Sequence, residues 1–153
     1  MKWKHPPIIK IHEALGAVAD ERIEVSRNTG KVSSSSGNKS YDISYDPESN
    51  SIMANDNGSY WKGYLGYPAI AYLLKIGVLD YKPEFGNLLK SIAWKDINQK
   101  FKNDFDKTLK FTLFSIEKSK IESLNTYVEE LNTEIKKLNF NLLGKKVAPP
   151  EGY

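Results

Sequence analysis

The sequence predicts an α+β fold with a long helical C-terminal region, on the strength of three observations. Between residues 22 and 54, apolar and polar residues alternate and turn residues separate the runs, a pattern typical of antiparallel strands. Apolar residues at helical spacing precede this region, and a heptad pattern occupies the last third of the chain. We therefore expect an N-terminal helix, a small antiparallel β-sheet of three to four strands, a short helix, and a long C-terminal helical hairpin or coiled-coil arm.

The first half of the chain supplies the predicted first helix and the strands. Residues 28–30 and 46–50 contain the Asn, Asp, Gly and Pro that tight turns favour, so two hairpins are expected. His12 lies on the apolar face of the helix and has no potential metal ligand one turn away, which favours a structural role. That face consists of Ile8, Ile11, His12, Leu15, Val18 and Ala19.

The loop at residues 60–67 is the best functional candidate. Flat aromatic side chains beside a lysine can stack on unpaired bases while the cation meets phosphate. The same aromatic residues could instead cover the core, or form a protein-binding surface, and the sequence leaves these alternatives open. The candidate residues of this loop are Tyr60, Trp61, Lys62 and Tyr64.

Residues 41–77, read as strand, turn, strand, loop and helix, resemble the SWIM zinc finger. That family carries Cys-x-Cys in the second strand and Cys-x-His at the start of the helix. The corresponding positions here are Ile52, Ala54, Tyr67 and Ala69, so all four ligands are replaced and no zinc is predicted. The resemblance implies a metal-free SWIM-like fold and an association with DNA-handling proteins and their protein partners; an ordinary hairpin and helix is the alternative.

The second half of the chain combines a basic region with the heptad pattern. Residues 82–120 hold nine basic and five acidic residues, which permits an acidic partner such as nucleic acid. The candidate phosphate-binding residues of this region are Lys100, Lys102, Lys107 and Lys110. The heptad positions, a candidate interface for a homodimer or another protein, are Ile121, Leu124, Val128, Leu131, Ile135, Leu138 and Leu142.

Composition excludes several classes of function. The chain of 153 residues has no cysteine and a net charge of +3, so disulfides, thiolate metal sites and cysteine nucleophiles are excluded. Phosphate-loop, dinucleotide-binding and Gly-x-Ser-x-Gly motifs do not occur, so we predict neither an enzyme nor a cofactor. No apolar run is long enough for a membrane span or a signal peptide, and we expect a cytoplasmic protein without a membrane partner.

These observations predict an α+β head at residues 1–93, a helical arm at residues 94–143 and a flexible tail at residues 144–153. The expected function is that of a non-enzymatic, nucleic-acid-associated accessory subunit, which binds the phosphate backbone of DNA or RNA and assembles with protein partners. The alternative is a purely protein-interacting or structural protein that dimerises through the heptad helix.

Overall fold

A five-stranded mixed sheet is the centre of the fold in the computed structural model, which describes residues 1–152. Its strands are β1 (Ile23–Ser26), β2 (Thr29–Ser33), β3 (Ser40–Asp46), β4 (Ser51–Ala54) and β5 (Asn141–Leu142). They lie side by side in that order. The strands β1 to β4 pair with one another in antiparallel orientation, and β5 pairs with β4 in parallel orientation.

Helices cover the sheet and supply most of the core. They are α1 (Ile9–Ala19), α2 (Tyr67–Lys75), α3 (Pro83–Gly86), α4 (Trp94–Lys100), α5 (Phe105–Leu113) and α6 (Lys118–Leu138), with a π-helical turn at Gly58–Lys62 and a 3₁₀ turn at Asn87–Leu89. The helix α2 packs on α1 and reaches β1 to β4. Because six of the nine residues of α2 are alanine, leucine, isoleucine or proline, it can be buried almost all round, as a helix between two layers must be.

The N-terminal half follows the sequence pattern closely. The first helix and both hairpins form where the periodicity and the turn residues predict them. The chain before α1 is also ordered by contacts that the sequence did not indicate. Trp3 is 7% exposed, its backbone N–H donates to Phe140 and its indole N–H donates to the carbonyl of Ile52 at 2.8 Å. The N-terminus therefore ties β4 to the end of α6.

The predicted helical hairpin or coiled-coil arm is wrong. A single long helix, the 21-residue α6, ends the helical region, and residues 94–113 form two short helices before it. The break between α4 and α5 falls at Lys102 and Asn103, which both have positive φ angles. Asp104 then caps α5 by accepting a hydrogen bond from the N–H of Lys107 at 3.3 Å. Asn and Asp favour such turns and caps, and here they outweigh the helical spacing of the apolar residues.

The heptad face of α6 packs on the protein's own core. Leu124, Val128, Leu131 and Ile135 belong to the same hydrophobic cluster as α1, α2 and the sheet, and α6 contacts α1 directly. Leu138 and Leu142 pack partly buried against that cluster, and Ile121 is half-buried. The predicted sheet of three to four antiparallel strands is also incomplete, because β5, at the end of this segment, pairs in parallel with β4.

The four positions that correspond to SWIM zinc ligands lie in the expected elements. Ile52 and Ala54 are buried in β4, and Ala69 is buried in α2, which begins at Tyr67. Within residues 1–152, no group of three or more His, Cys, Asp or Glu side chains is placed to hold a metal ion. No helix in that range is both long and apolar enough to cross a membrane.

Candidate functional site

A polar pocket of about 400 Å³ opens where α1, the start of α2, α4 and the π-helical turn meet. It exists because the β2–β3 connection and the α4 helix come together over the N-terminal half of α1. Clefts of this size that are lined by a few converging polar groups are common ligand sites. The charged residues that line it are Lys10, Glu13, Arg22, Lys39, Asp56 and Lys95.

A buried ion pair occupies the floor of the pocket. The Nζ of Lys10 lies 2.9 Å from Oε2 of Glu13, and both side chains are largely buried. Burial alone would lower the pKa of Lys10, but attraction by Glu13 and other nearby oxygens outweighs it and raises the pKa. Oε1 of Glu13 accepts a hydrogen bond from Nδ2 of Asn98 at 3.1 Å. The other amide atom, Oδ1 of Asn98, is buried without a hydrogen-bond partner among residues 1–152.

Two tyrosines form one wall and keep their protons at neutral pH. Burial raises the pKa of Tyr41 to about 12, and burial likewise raises the pKa of Tyr67. Their rings meet edge to face with centroids 6.3 Å apart. Arg22, which lies near Tyr67, donates from Nη1 to the carbonyl of Ser33 at 2.6 Å. The wall therefore presents two phenol hydroxyls and the guanidinium of Arg22, which the Ser33 carbonyl fixes in place. All of these groups are hydrogen-bond donors.

Lys39 and Lys95 bring two ammonium groups to the same part of the pocket. Lys39 is only 9% exposed, and the pKa of Lys95 is lowered by burial and by the nearby charge of Lys39. The backbone N–H of Lys95 donates to the hydroxyl of Ser35 at 3.0 Å, which fixes the start of α4 against the β2–β3 connection. Among the described residues that line the pocket, four cations face two carboxylates.

Asp56 holds the π-helical turn against the start of α2. Both of its carboxylate oxygens accept hydrogen bonds from Ser59, from the hydroxyl at 2.6 Å and from the backbone N–H at 3.2 Å. The hydroxyl of Ser59 accepts in turn from the N–H of Gly66 at 3.1 Å. Burial raises the pKa of Asp56, although the bonds from Ser59 act in the opposite direction. This buried network sets the position of the aromatic residues that follow it.

We expect Gly66→Ala to destabilise this network. A Cβ atom at Gly66 would stand 2.0 Å from Oδ2 of Asp56, far inside contact distance. The backbone of Gly66, with φ −77° and ψ 166°, is open to any residue, so the cost comes from the clash alone. Overpacking of this kind costs about 1–3 kcal/mol, measured as the free energy of urea unfolding. Because the clash requires the buried carboxylate, the double variant Asp56→Ala/Gly66→Ala should show no additional cost over Asp56→Ala; a full additive cost would contradict this explanation.

The predicted aromatic loop continues from one rim of the pocket, which Asn57 and Gly58 line. Trp61 is 69% exposed and stands edge to face against Tyr60, with ring centroids 4.7 Å apart. Lys62 is exposed and Tyr64 is half-buried. The sequence did not indicate Lys146, whose Nζ donates to the carbonyl of Tyr60 at 3.4 Å and adds a cation to this rim.

The predicted lysines of α4 and α5 form a second basic surface. Lys100, Lys102, Lys107 and Lys110 are all exposed. The Nζ of Lys100 lies 4.7 Å from the ring centroid of Phe111, close enough for a cation–π contact. The sequence analysis did not include the aromatic part of this surface, because Phe111 and Phe114 lie outside the apolar stripe that faces the core.

Two phenylalanines complete that surface. Phe111 is 51% exposed and Phe114, three residues later, is 90% exposed. Both lie off the buried stripe, so a search for aromatic residues on the polar face of α5 would have found them. We call the exposed residues Lys100, Lys107, Lys110, Phe111 and Phe114 the α4–α5 patch.

The chain matches a protein-family model described as "Uncharacterised conserved protein UCP014422" over residues 3–141. It belongs to this family. The comparisons with curated proteins and with solved structures found no match. The matched range includes α1 to α6, so the pocket and both of its rims are built almost wholly from the part of the chain that defines the family.

Among the described residues that line the pocket, none belongs to the three predicted sets of site residues, but neighbours of two sets do line it. Asn57 and Gly58 precede the aromatic loop, and Gln99 and Asn103 flank Lys100 and Lys102. These segments are about 40 residues apart in the sequence. The heptad residues take no part in this site. The candidate site is therefore a cationic pocket whose lining continues along the chain into both predicted surfaces.

A larger depression of about 780 Å³ has the opposite charge. It lies between the C-terminal ends of α1 and α2 and the middle of α6. Four carboxylates line it with one lysine among the described residues: Glu21, Asp80, Glu130, Glu134 and Lys75. A polyanion is repelled there and attracted to the other pocket.

Proposed function

We propose that this protein binds single-stranded nucleic acid across the rims of the cationic pocket, as a non-enzymatic accessory subunit of a larger assembly. One observation carries the proposal: two segments that line the cationic pocket continue into exposed aromatic rings and lysines. Gly58 lines the pocket and begins the π-helical turn that carries the exposed Trp61, and Gln99 lines it directly before Lys100 of the α4–α5 patch.

The chemistry of these surfaces suits a strand better than a duplex. Exposed flat rings such as Trp61 and Phe114 can stack on bases that are not paired, at about 1–3 kcal/mol per base. Lysine meets phosphate as a point charge and reads no base edge in a bidentate way. Only two of the 22 basic residues are arginine. We therefore propose binding to the sugar–phosphate backbone with little sequence preference.

The SWIM resemblance, which stays a prediction, points to the same class of function. Its family is associated with DNA-handling proteins and with protein contacts. Assembly with a protein partner is part of the proposal for the same reason. Cytoplasmic location is proposed on the composition of the chain alone.

Tryptophan fluorescence offers a direct test of strand binding. Trp3 and Trp94 are buried and Trp61 is exposed, so Trp61 is the indole that an added strand can reach. We expect an oligo(dT) to quench the emission, and the affinity to fall steeply as salt rises, because each phosphate neutralised by lysine releases counterions. Trp61→Phe should remove the quenching and keep the salt dependence in an anisotropy measurement with a labelled strand.

Charge reversal of the α4–α5 patch should weaken binding at least tenfold at moderate salt. The test variant is Lys100→Glu/Lys107→Glu/Lys110→Glu. Its matched control is Lys75→Glu/Lys136→Glu/Lys137→Glu, which changes the net charge equally at exposed lysines outside the pocket. Equal affinity of the two variants would contradict the proposed surface, and binding that is insensitive to salt would contradict the proposed mechanism.

A purely protein-interacting role is the second candidate, and the exposure of Phe114 favours it. A phenylalanine that is 90% exposed beside a half-exposed Phe111 offers an anchor for a partner, since aromatic residues often dominate binding energy at interfaces. This role predicts no affinity for nucleic acid in either of the measurements above. Replacement of Phe111 and Phe114 by serine would then release a co-purifying protein partner and leave the monomer folded.

A further inference from the structure

The geometry points to a specific ligand for the pocket itself: the phosphate group of a single nucleotide, seated beside Lys39 and Lys95. The phosphate can come from a free nucleotide or from the phosphorylated end of a strand. The strand-end source rests on the function proposed above, and the free-nucleotide source does not. Nothing in the family description or in the proposed strand binding assigns a ligand to this pocket.

Lys39 and Lys95 bring two like charges to one pocket. Lys39 is nine-tenths buried, and the Nζ of Lys95 is buried as well, where Asp96 attracts it in part. Two ammonium groups in one partly desolvated pocket repel each other. A bound dianion such as a phosphate monoester removes this repulsion, because it attracts both groups. The surplus of cations over carboxylates along the pocket wall favours the same ligand.

Hydrogen-bond donors line the same pocket as Lys39 and Lys95. The hydroxyl of Ser35, which accepts from the N–H of Lys95, keeps its own proton for donation. Tyr41 also lines the pocket with a protonated hydroxyl. Phosphate oxygens accept several hydrogen bonds at once, and bonds from charged donors are roughly twice as strong as neutral ones.

The rest of the pocket suits the nucleoside. The buried Oδ1 of Asn98 has no partner among residues 1–152, and leaving a buried acceptor unpaired is unfavourable. A ligand N–H or O–H would satisfy it. The volume of about 400 Å³ lies at the lower end of the range for small-molecule sites, so it accommodates one nucleotide and excludes a longer piece of strand.

The test compares strands that differ only at one end. Oligo(dT) carrying a terminal phosphate, at either end, is titrated by fluorescence anisotropy against the same strand with hydroxyl ends. In a second arm, calorimetry compares the free nucleotide dTMP with thymidine. We expect the phosphorylated strand to bind roughly tenfold more tightly, which is the effect of one or two charge-assisted hydrogen bonds. We also expect dTMP to bind where thymidine does not.

Lys39→Gln should abolish these differences, and it should weaken the binding of hydroxyl-ended strands no more than its control does, since both variants remove one positive charge. The matched control is Lys31→Gln, at an exposed lysine on β2 outside this pocket. Lys95→Gln is a second test at a more exposed position, should the buried substitution disturb folding, as checked by circular dichroism. A phosphate preference that survives in both folded variants would overturn the inference.

The two arms separate this inference from the proposed function. If dTMP binds and no strand does, the pocket is a free-nucleotide site and the strand-binding function fails. If strands bind equally with and without a terminal phosphate, and dTMP binds no better than thymidine, the strand-binding function stands and the pocket inference is overturned. A preference for phosphorylated strands without binding of dTMP supports the strand end as the source.

Discussion

Replacing Leu131 by alanine is expected to lower the free energy of unfolding by about 2–5 kcal/mol. Leu131 is 3% exposed and lies in the middle of α6, within the cluster that also contains α1, α2 and the sheet. Removal of its side chain deletes buried apolar contacts and leaves a cavity. The surrounding helices and sheet can close this cavity only in part. The measurement is urea or thermal unfolding followed by circular dichroism.

The same variant distinguishes a buried helix from a coiled-coil arm. If the heptad face were a dimer seam, Leu131→Ala would lower the mass in solution and leave the stability of the head unchanged. The structure predicts the reverse result: lower stability and an unchanged mass by light scattering. Glu129→Ala, at an exposed position of the same helix, is the control and should change stability by less than about 0.5 kcal/mol. A loss of mass without loss of stability would contradict the packing of α6.

The prediction of a helical hairpin or coiled-coil arm is wrong for a physical reason. A heptad pattern shows that one face of a helix is apolar, and any apolar surface can cover that face. Leu124 and Leu131 satisfy the pattern equally well against another chain or against α1. The deciding contacts, such as the backbone bond between Trp3 and Phe140, join residues from opposite ends of the chain. Spacing along the sequence carries no information about them.

The hairpins were predictable because their signals are local. A turn at residues 46–50 and alternating residues on each side are enough to place β3 and β4. The break after α4 was also signalled locally, by Asn103 and Asp104, but the apolar spacing from Ile97 through Phe105 concealed it. At that point the turn-forming residues determine the structure and the apolar periodicity does not.

The candidate site was predictable only in its outer parts. Trp61 and the lysines of α4 and α5 stand in short runs with an unusual composition, so the sequence indicates them. The pocket between them depends on Lys10, Lys39 and Lys95, which come from three separate parts of the chain. Each of these lysines looks like an ordinary surface residue in the sequence, and only the tertiary fold buries them near one another.

His12 should make the protein sensitive to acid in a specific range. The side chain is 2% exposed, and its Nδ1 lies 3.2 Å from the carbonyl oxygen of Ile8, so Nδ1 carries the proton of a neutral ring. Nε2 is buried without a hydrogen-bond partner among residues 1–152. Burial lowers the pKa of His12 to about 4, against a weaker opposing effect of the Ile8 bond. His12, on the apolar face of α1, is therefore uncharged at neutral pH.

The direction of the effect follows from the two protonation states. Because the pKa is about 4 in the folded protein and 6.5 in the ordinary state, the unfolded chain binds a proton more readily between these values. The stability that a neutral His12 contributes is therefore complete above pH 6.5 and is lost as the pH falls toward 4. At pH 4.5 the expected loss is about 2–3 kcal/mol relative to pH 7. A protein with the usual 5–15 kcal/mol of stability would lose a substantial part of it.

Comparison with His12→Leu isolates this contribution from that of the carboxylates. The leucine variant keeps an apolar side chain in the buried position and cannot be protonated, while every other titrating group stays the same. Urea unfolding of both proteins at pH 7 and pH 4.5 gives two differences in free energy, and the wild-type difference should exceed that of the variant by about 2–3 kcal/mol. Equal differences would mean that the His12 ring is as readily protonated in the folded protein as in the unfolded chain. In that case α1 would have to open at this point and admit water to the ring, which is incompatible with the packing of α1 against α2 in a closed core.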